Sequence, residues 1–434
     1  MKKLLAILKL YRTRLEYTRI TSESVSFILM ILGALIAPIS RPKAAQLLML
    51  SHRNTFTPAR QRQREYFLRF FGLFDPRVID RMLPDTEHHD EAIFASRVIT
   101  LKEPNGKEKG VILLKFLDTF SWLKAKHDIE RLMKDYYIVF EMSYYGCCCP
   151  ELLQYASYDD HCIVGASHSL EYGFLTRLNS NIVPANFASC NWVDDRVFHP
   201  LPAEKKYDAV YVATWNPVKR HHILFEAVSR IADPTFKAVL VGGGYGGTRY
   251  EIEKWIRYYG VENRVLVMEN LSHEAINQLF SESRFSILLS LKEGGNKAII
   301  EGMFANTPCI VLDDHISPAA DWINEQTGRM VARRKLPSAM LWMRDNWQTF
   351  SPREWAMSHL HPRTTTAILE KTIRHISDQE GRGWTTPLAV KYNHGSQPRY
   401  YDDAVPHPRP IDLHLYRKAM RPSDSTSPAT QSAR

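Results

Sequence analysis

The chain has 434 residues, 44% hydrophobic and 24% charged, a balance that excludes a wholly disordered or fibrous protein and a length that calls for two domains with extensions. The formal net charge of +9 is uneven: residues 1–70 hold thirteen Lys and Arg against three Glu, leaving the rest of the chain near neutral. A basic segment of this kind suits an anionic membrane surface or nucleic acid. It contains no recognisable nucleic-acid reading module, so the membrane is the expected partner and nucleic acid is not.

Residues 3–20 place Leu4, Ile7, Leu8, Tyr11 and Leu15 at helical spacing with a basic opposite face. The apolar run 25–39 follows; it is short of the roughly 20 residues of a membrane span and lies too far along the chain for a signal peptide. It reads as a monotopic anchor lying in the interface, with a buried core helix as the alternative. Residues 40–93 read as helical, completing a basic, membrane-associated extension over 1–93.

From residue 94 short apolar runs alternate with amphipathic ones. Strands are predicted at 96–101, 111–116, 137–142, 162–166 and 182–184, with helices at 119–134 and 170–178. A Pro- and charge-rich linker at 198–206 leads to a second series: strands at 209–213, 238–241, 265–268, 285–289 and 309–312, helices at 222–231, 249–259, 273–283, 297–305 and 365–376. Strands alternating with helices imply parallel sheets, so the prediction is an α/β chain with two Rossmann-like, doubly wound domains in tandem, 94–200 and 207–378. The Pro-rich stretch 380–434 is predicted to be largely disordered, with one docked segment near 411–420. Cys147, Cys148, Cys149, Cys162, Cys190 and Cys309 have neither a disulfide nor a zinc spacing, and read as reduced thiols of a cytoplasmic protein.

Three strand-to-helix junctions carry candidate chemistry. In Glu293-Gly-Gly-Asn-Lys-Ala-Ile-Ile-Glu301, Gly294 and Gly295 let backbone approach a ligand, and Asn296 and Lys297 open a helix whose N-terminus attracts phosphate. Glu293 and Glu301 flank that anion site and can accept hydrogen bonds from hydroxyls at its two ends, which suits a nucleotide-sugar. In the segment 214–222, Lys219 and Arg220 can grip a diphosphate as point charge and fork. The glycine run 242–247, with Gly243, reads as a backbone-access loop beside the same ligand. On the first domain, the loops 141–146 and 166–168 offer Glu141 and His168 to assist an acceptor hydroxyl.

Together these landmarks resemble retaining glycosyltransferases of the GT-B fold, the group related to glycogen and sucrose synthases. The resemblance spans about residues 180–331. It rests on Pro217-Val218-Lys219, on Val239–Gly244, on Leu271-Ser272-His273-Glu274 with Leu279-Phe280, on the Glu293-x7-Glu301 pair, and on the segments 307–311 and 327–331. It implies that Glu293 contacts the donor sugar and supports the transition state. It also implies that Glu301 holds the ribose hydroxyls and that Lys219 neutralises the leaving diphosphate. The family usually has Arg five residues before that Lys; here the residue is Thr214. There is no Asp-x-Asp triplet, so no metal ligand and no cofactor is expected. The expected function is hexosyl transfer from a nucleotide-sugar to a glycan or lipid-linked acceptor in polysaccharide biosynthesis, peripheral on the inner face of the membrane. A non-catalytic subunit and a sugar-nucleotide epimerase are the rival readings.

Overall fold

The computed structural model describes residues 18–83, 90–142, 146–244, 246–394, 397–401 and 407–418. The helix expected at 3–20 lies almost wholly outside these residues, as do 143–145 of the loop after Glu141.

The chain enters through an α-helix, Arg19–Ile36, capped by the Thr18 hydroxyl, which accepts from the Thr21 amide at 3.2 Å. It turns at Pro38 into the helix Arg41–Arg53. Ser26, Met30 and Gly33 repeat at helical spacing and form the buried face. A Cβ on Gly33 would lie 2.7 Å from Leu48 Cγ, so the close crossing requires glycine there. The opposite face is apolar yet uncovered: Ile20, Phe27, Ile28, Ile31, Leu35 and, beyond the helix, Ile39 are exposed. The run 25–39 is therefore neither a core helix nor free; one side packs and the other faces out. A third helix, Pro58–Phe70, packs on the second.

The first sheet has strands β1 (Val98–Lys102), β2 (Gly110–Lys115), β3 (Tyr136–Glu141), β4 (Cys162–Gly165) and β5 (Ile182–Ala185), in that spatial order. β1 runs antiparallel to β2 and the remainder are parallel. Right-handed crossovers between successive neighbours put all connecting helices on one face. There Ile112, Leu114, Ile138, Phe140 and Val164 pack with the N-terminal helices in one core. The other face needs a cover from elsewhere in the chain. The helix Pro362–Gln379 supplies it, setting Leu369, Ile373 and Ile376 against Ile99, Val111, Tyr137 and Ile163. This helix was expected inside the second domain; its apolar stripe belongs to the first.

The second sheet is wholly parallel, in the order β11-β10-β9-β6-β7-β8, with β6 Tyr207–Val212, β7 Ala238–Gly242, β8 Val265–Glu269, β9 Ser283–Leu288, β10 Cys309–Leu312 and β11 Gly328–Val331. Chain order reverses between the neighbours β6 and β9. The loops leaving these two strands diverge to opposite faces and leave a crevice at their carboxyl ends.

The tail differs from the disorder expected of it. Residues 388–394 return to the first domain: the Ala389 amide donates to the Leu101 carbonyl at 2.8 Å and the Asn393 amide to the Trp192 carbonyl at 2.7 Å. Leu388, Lys391, Tyr392 and Tyr401 are buried. The strands β12 (Lys391–His394) and β13 (Gln397–Tyr400) pair antiparallel, and residues 411–418 lie against the first domain with Leu413 and Tyr416 buried. Proline content marks a segment that cannot form a helix; it does not stop an extended segment from covering an open sheet face.

Candidate functional site

The crevice between β6 and β9 brings the predicted donor residues together. The loop 213–220 follows β6 and the loop 289–296 follows β9. Lys219 closes the first and its Nζ lies 2.8 Å from Glu293 Oε2 in the second. The other oxygen of Glu293 accepts from Asn296 Nδ2 at 3.1 Å. Asn296 also caps the helix Lys297–Phe304, its Oδ1 accepting from the Ile299 amide at 3.2 Å. One short segment thus fixes a carboxylate beside the amide-rich, positive end of a helix. Glu301, one turn on, is buried and meets Lys297 Nζ at 3.1 Å.

The loop bearing Glu293 is held from the side of β10. The Glu293 amide donates to the Ile316 carbonyl at 3.0 Å and the Ile316 amide to the Leu291 carbonyl at 2.8 Å. Buried His315 bridges the Ser290 carbonyl and the Ser317 hydroxyl, both at 2.6 Å. Arg220 completes the clamp. Expected to grip a diphosphate, it instead turns inward, forks onto Asp314 at 2.7 and 2.8 Å, and donates to the Leu289 carbonyl. Its residue conformation is left-handed, φ 52°, which aims the side chain under the loops. Arg220 ties three strand ends together, and its fork is taken. Neither His315 nor Asp314 stood out in the sequence, because they act through contacts made only when β10 lies beside β9.

The glycine run divides by position. A Cβ on Gly242 would meet the Trp215 ring at 2.5 Å, and one on Gly247 would meet the Trp215 carbonyl at 2.2 Å. These glycines seat the loop after β6. Gly243, with only Asn270 Oδ1 at 3.1 Å, and Gly244, with nothing near it, are the ones whose backbone a ligand can approach. Gly295 faces the first domain, where a Cβ would lie 2.8 Å from Cys190 Sγ. Thr214 is exposed at the start of the same loop.

The two acceptor-side candidates part company. His168 caps the helix Ser169–Leu178, and burial with the nearby His315 and Lys292 lowers its pKa to about 4. It lies within electrostatic reach of Lys292, the residue before Glu293. Glu141, expected as a free base, is buried, with Oε2 3.3 Å from Lys391 Nζ. Lys391 lies over the Trp192 ring at 4.1 Å. The correction has a physical source: the partner arrives from a tail segment 250 residues away. Among the described residues no group of three His, Cys, Asp or Glu side chains could hold a metal ion.

Burial also lowers the His221 pKa to about 3. Between pH 6.5 and about 4 the unfolded chain binds protons that folded His168 and His221 refuse. Stability should thus fall as pH drops through that window, each histidine adding up to about 1.4 kcal/mol per pH unit. Denaturant titrations at stepped pH should show the slope, and His221→Phe should flatten it.

Residues 194–339 match the family model described as glycosyl transferases group 1. S. aureus TarM is 14% identical with a TM-score of 0.50; the match covers 64% of this chain and 56% of TarM, little more than half its length. Sucrose-phosphate synthase from Thermosynechococcus elongatus is 16% identical at a TM-score of 0.49, covering 62% of this chain and 74% of that one. Anabaena HepE, solved with UDP and glucose, is 14% identical at 0.48, covering 60% and 77%. No curated protein matches the chain. The fold is the GT-B arrangement of two Rossmann-like domains.

Proposed function

We propose that this chain, with a group 1 glycosyltransferase domain in a GT-B fold, moves a sugar from a nucleotide-sugar to a glycan or lipid-linked acceptor with retention of configuration. The observation that carries the reading is the Glu293–Lys219 pair beside the N-terminus of the helix bearing Glu301, at the point where strand order reverses. That junction offers a cation and helix amides for a diphosphate, and a carboxylate on either side for hydroxyls.

In the proposed reaction the bond from the anomeric carbon to the diphosphate breaks while the acceptor oxygen bonds to the same face. The acceptor's proton passes to the departing phosphate. Lys219 and the helix amides stabilise the negative charge that develops there, and Glu293 faces the positive charge on the sugar. Glu301 holds the ribose. Arg220 and His315 keep the loops in place without touching substrate. No metal is part of this scheme. Placement at the cytoplasmic membrane face, in polysaccharide assembly, is likewise proposed; the exposed apolar side of helix 19–36 supports it.

The test is hydrolysis and binding of a panel of nucleotide-sugars, with chelator present. Slow hydrolysis of one donor supports the proposal; a folded protein that binds none overturns it. The second outcome favours the rival reading, a non-catalytic subunit, for which Thr214 at the place of the family's arginine is the supporting observation. With the donor known, Glu301→Ala should raise its KM about 10- to 100-fold, the loss of a charged hydrogen bond, with kcat little changed.

A further inference from the structure

Helices 19–36 and 58–70 enclose a groove of about 900 Å³ on the N-terminal extension, separate from the donor crevice. Its lining is of two kinds. Ile20, Phe27 and Ile28 form an apolar wall continuous with the exposed Ile31 and Leu35 on the same helical face, a stripe about 22 Å long at the helical rise. Arg19, Arg60 and Arg64 form a basic end, and among the described residues that line the groove Glu23 is the one acid.

Arg64 decides what belongs there. Its side chain is among the largest fully buried ones, at 2% exposure. Its guanidinium donates to Ser51 Oγ at 3.2 Å, Ser26 Oγ at 3.3 Å and Gln63 Oε1 at 2.6 Å. All three are neutral, and among the described residues no carboxylate bonds to it. Glu23 is already engaged, by Arg60 at 2.6 Å and by the Phe56 amide at 3.0 Å. Glu23 also lies within electrostatic reach of Arg64, so one carboxylate faces two guanidinium groups. The excess positive charge is costly where it is buried, and an anion at the mouth of the groove would balance it. An anion attached to a hydrocarbon chain would also cover the apolar stripe.

We infer that this groove binds the phosphate headgroup of a membrane lipid between Arg60 and Arg64, with its acyl chain along Phe27, Ile28, Ile31 and Leu35. The inference rests on the membrane-docking part of the proposed function and not on the donor chemistry. Docking then has a fixed register: the headgroup contact sets how the helix lies in the interface, and with it the direction in which the crevice faces a lipid-linked acceptor.

The experiment uses the full chain. Sedimentation is measured with vesicles of phosphatidylcholine alone and of phosphatidylcholine mixed with phosphatidylglycerol. Titrations with short-chain dihexanoylphosphatidic acid and with inorganic phosphate are run beside it. The expected result is preference for the anionic vesicles, and saturable binding of the short-chain lipid but not of inorganic phosphate. Arg64→Gln and Arg60→Gln should each weaken both by about tenfold. Arg60 is half exposed, so its variant keeps the test intact should Arg64→Gln misfold. Arginine variants that bind like wild type, while Phe27→Ser with Leu35→Ser loses vesicle binding, would overturn the groove and leave membrane docking standing. Full vesicle binding by the Phe27→Ser, Leu35→Ser variant would overturn both. Inorganic phosphate binding as tightly as the short-chain lipid would overturn the assignment to a lipid.

Discussion

Glu293→Gln should lower kcat about 100- to 1,000-fold, the range seen when one preorganised group facing transition-state charge is removed, while donor affinity changes little. The carboxylate is held on both oxygens, by Lys219 at 2.8 Å and Asn296 at 3.1 Å, and its loop is pinned to Ile316 by backbone bonds. Such a group needs no reorganisation when charge develops on the sugar. Glutamine keeps the shape and can still accept from Asn296, but it lacks the charge and loses its ion pair with Lys219. The measurement is kcat beside calorimetric donor affinity; unchanged kcat would remove Glu293 from the chemistry.

Lys391→Met should destabilise the fold by about 3 kcal/mol, because removing one partner of a buried ion pair leaves the other uncompensated. Lys391 is 0% exposed, and burial, opposed by Glu141, pulls its pKa down to about 7. Between pH 7 and its ordinary value of 10.5, the unfolded chain carries a proton that the folded chain does not. The contribution of Lys391 to stability should therefore rise with pH across that window, and Lys391→Met should remove that part of the slope. Lys292, likewise lowered to about 7 by burial, and Lys205, lowered to about 8, add slope of the same sign. The six buried thiols, all held above their ordinary 9.0, oppose it as pH passes 9. Replacing both members, Lys391→Met with Glu141→Gln, should recover much of the loss. Denaturant titrations at pH 7 and pH 9 measure all of this; a variant as stable as wild type at both would mean that the pair contributes nothing.

Much of the donor side was legible in the sequence because its determinants are local. A glycine pair, a capping asparagine and two glutamates lie within nine residues. A strand running into a helix places them at the carboxyl edge of a parallel sheet, and strand order alone then brings Lys219 to Glu293. The alternation of periodicities similarly marked ten of the eleven strands of the two large sheets to within a few residues. The run 25–39 was legible as apolar and helical, since both properties are carried by its own side chains.

What only the tertiary structure decided depends on residues far apart in the chain. Arg220 reads as a ligand-binding cation until Asp314, 94 residues on, takes its fork. Glu141 reads as a free base until Lys391 is laid against it by the tail. The tail's own order follows from the topology of the first sheet. With every crossover on one face, the other face stays apolar until helix 362–379 and residues 388–392 cover it, and burial of that face outweighs the weak local preferences of a proline-rich segment. Which side of helix 19–36 faces out was settled the same way, by a close crossing at Gly33 that no single helix's periodicity can reveal.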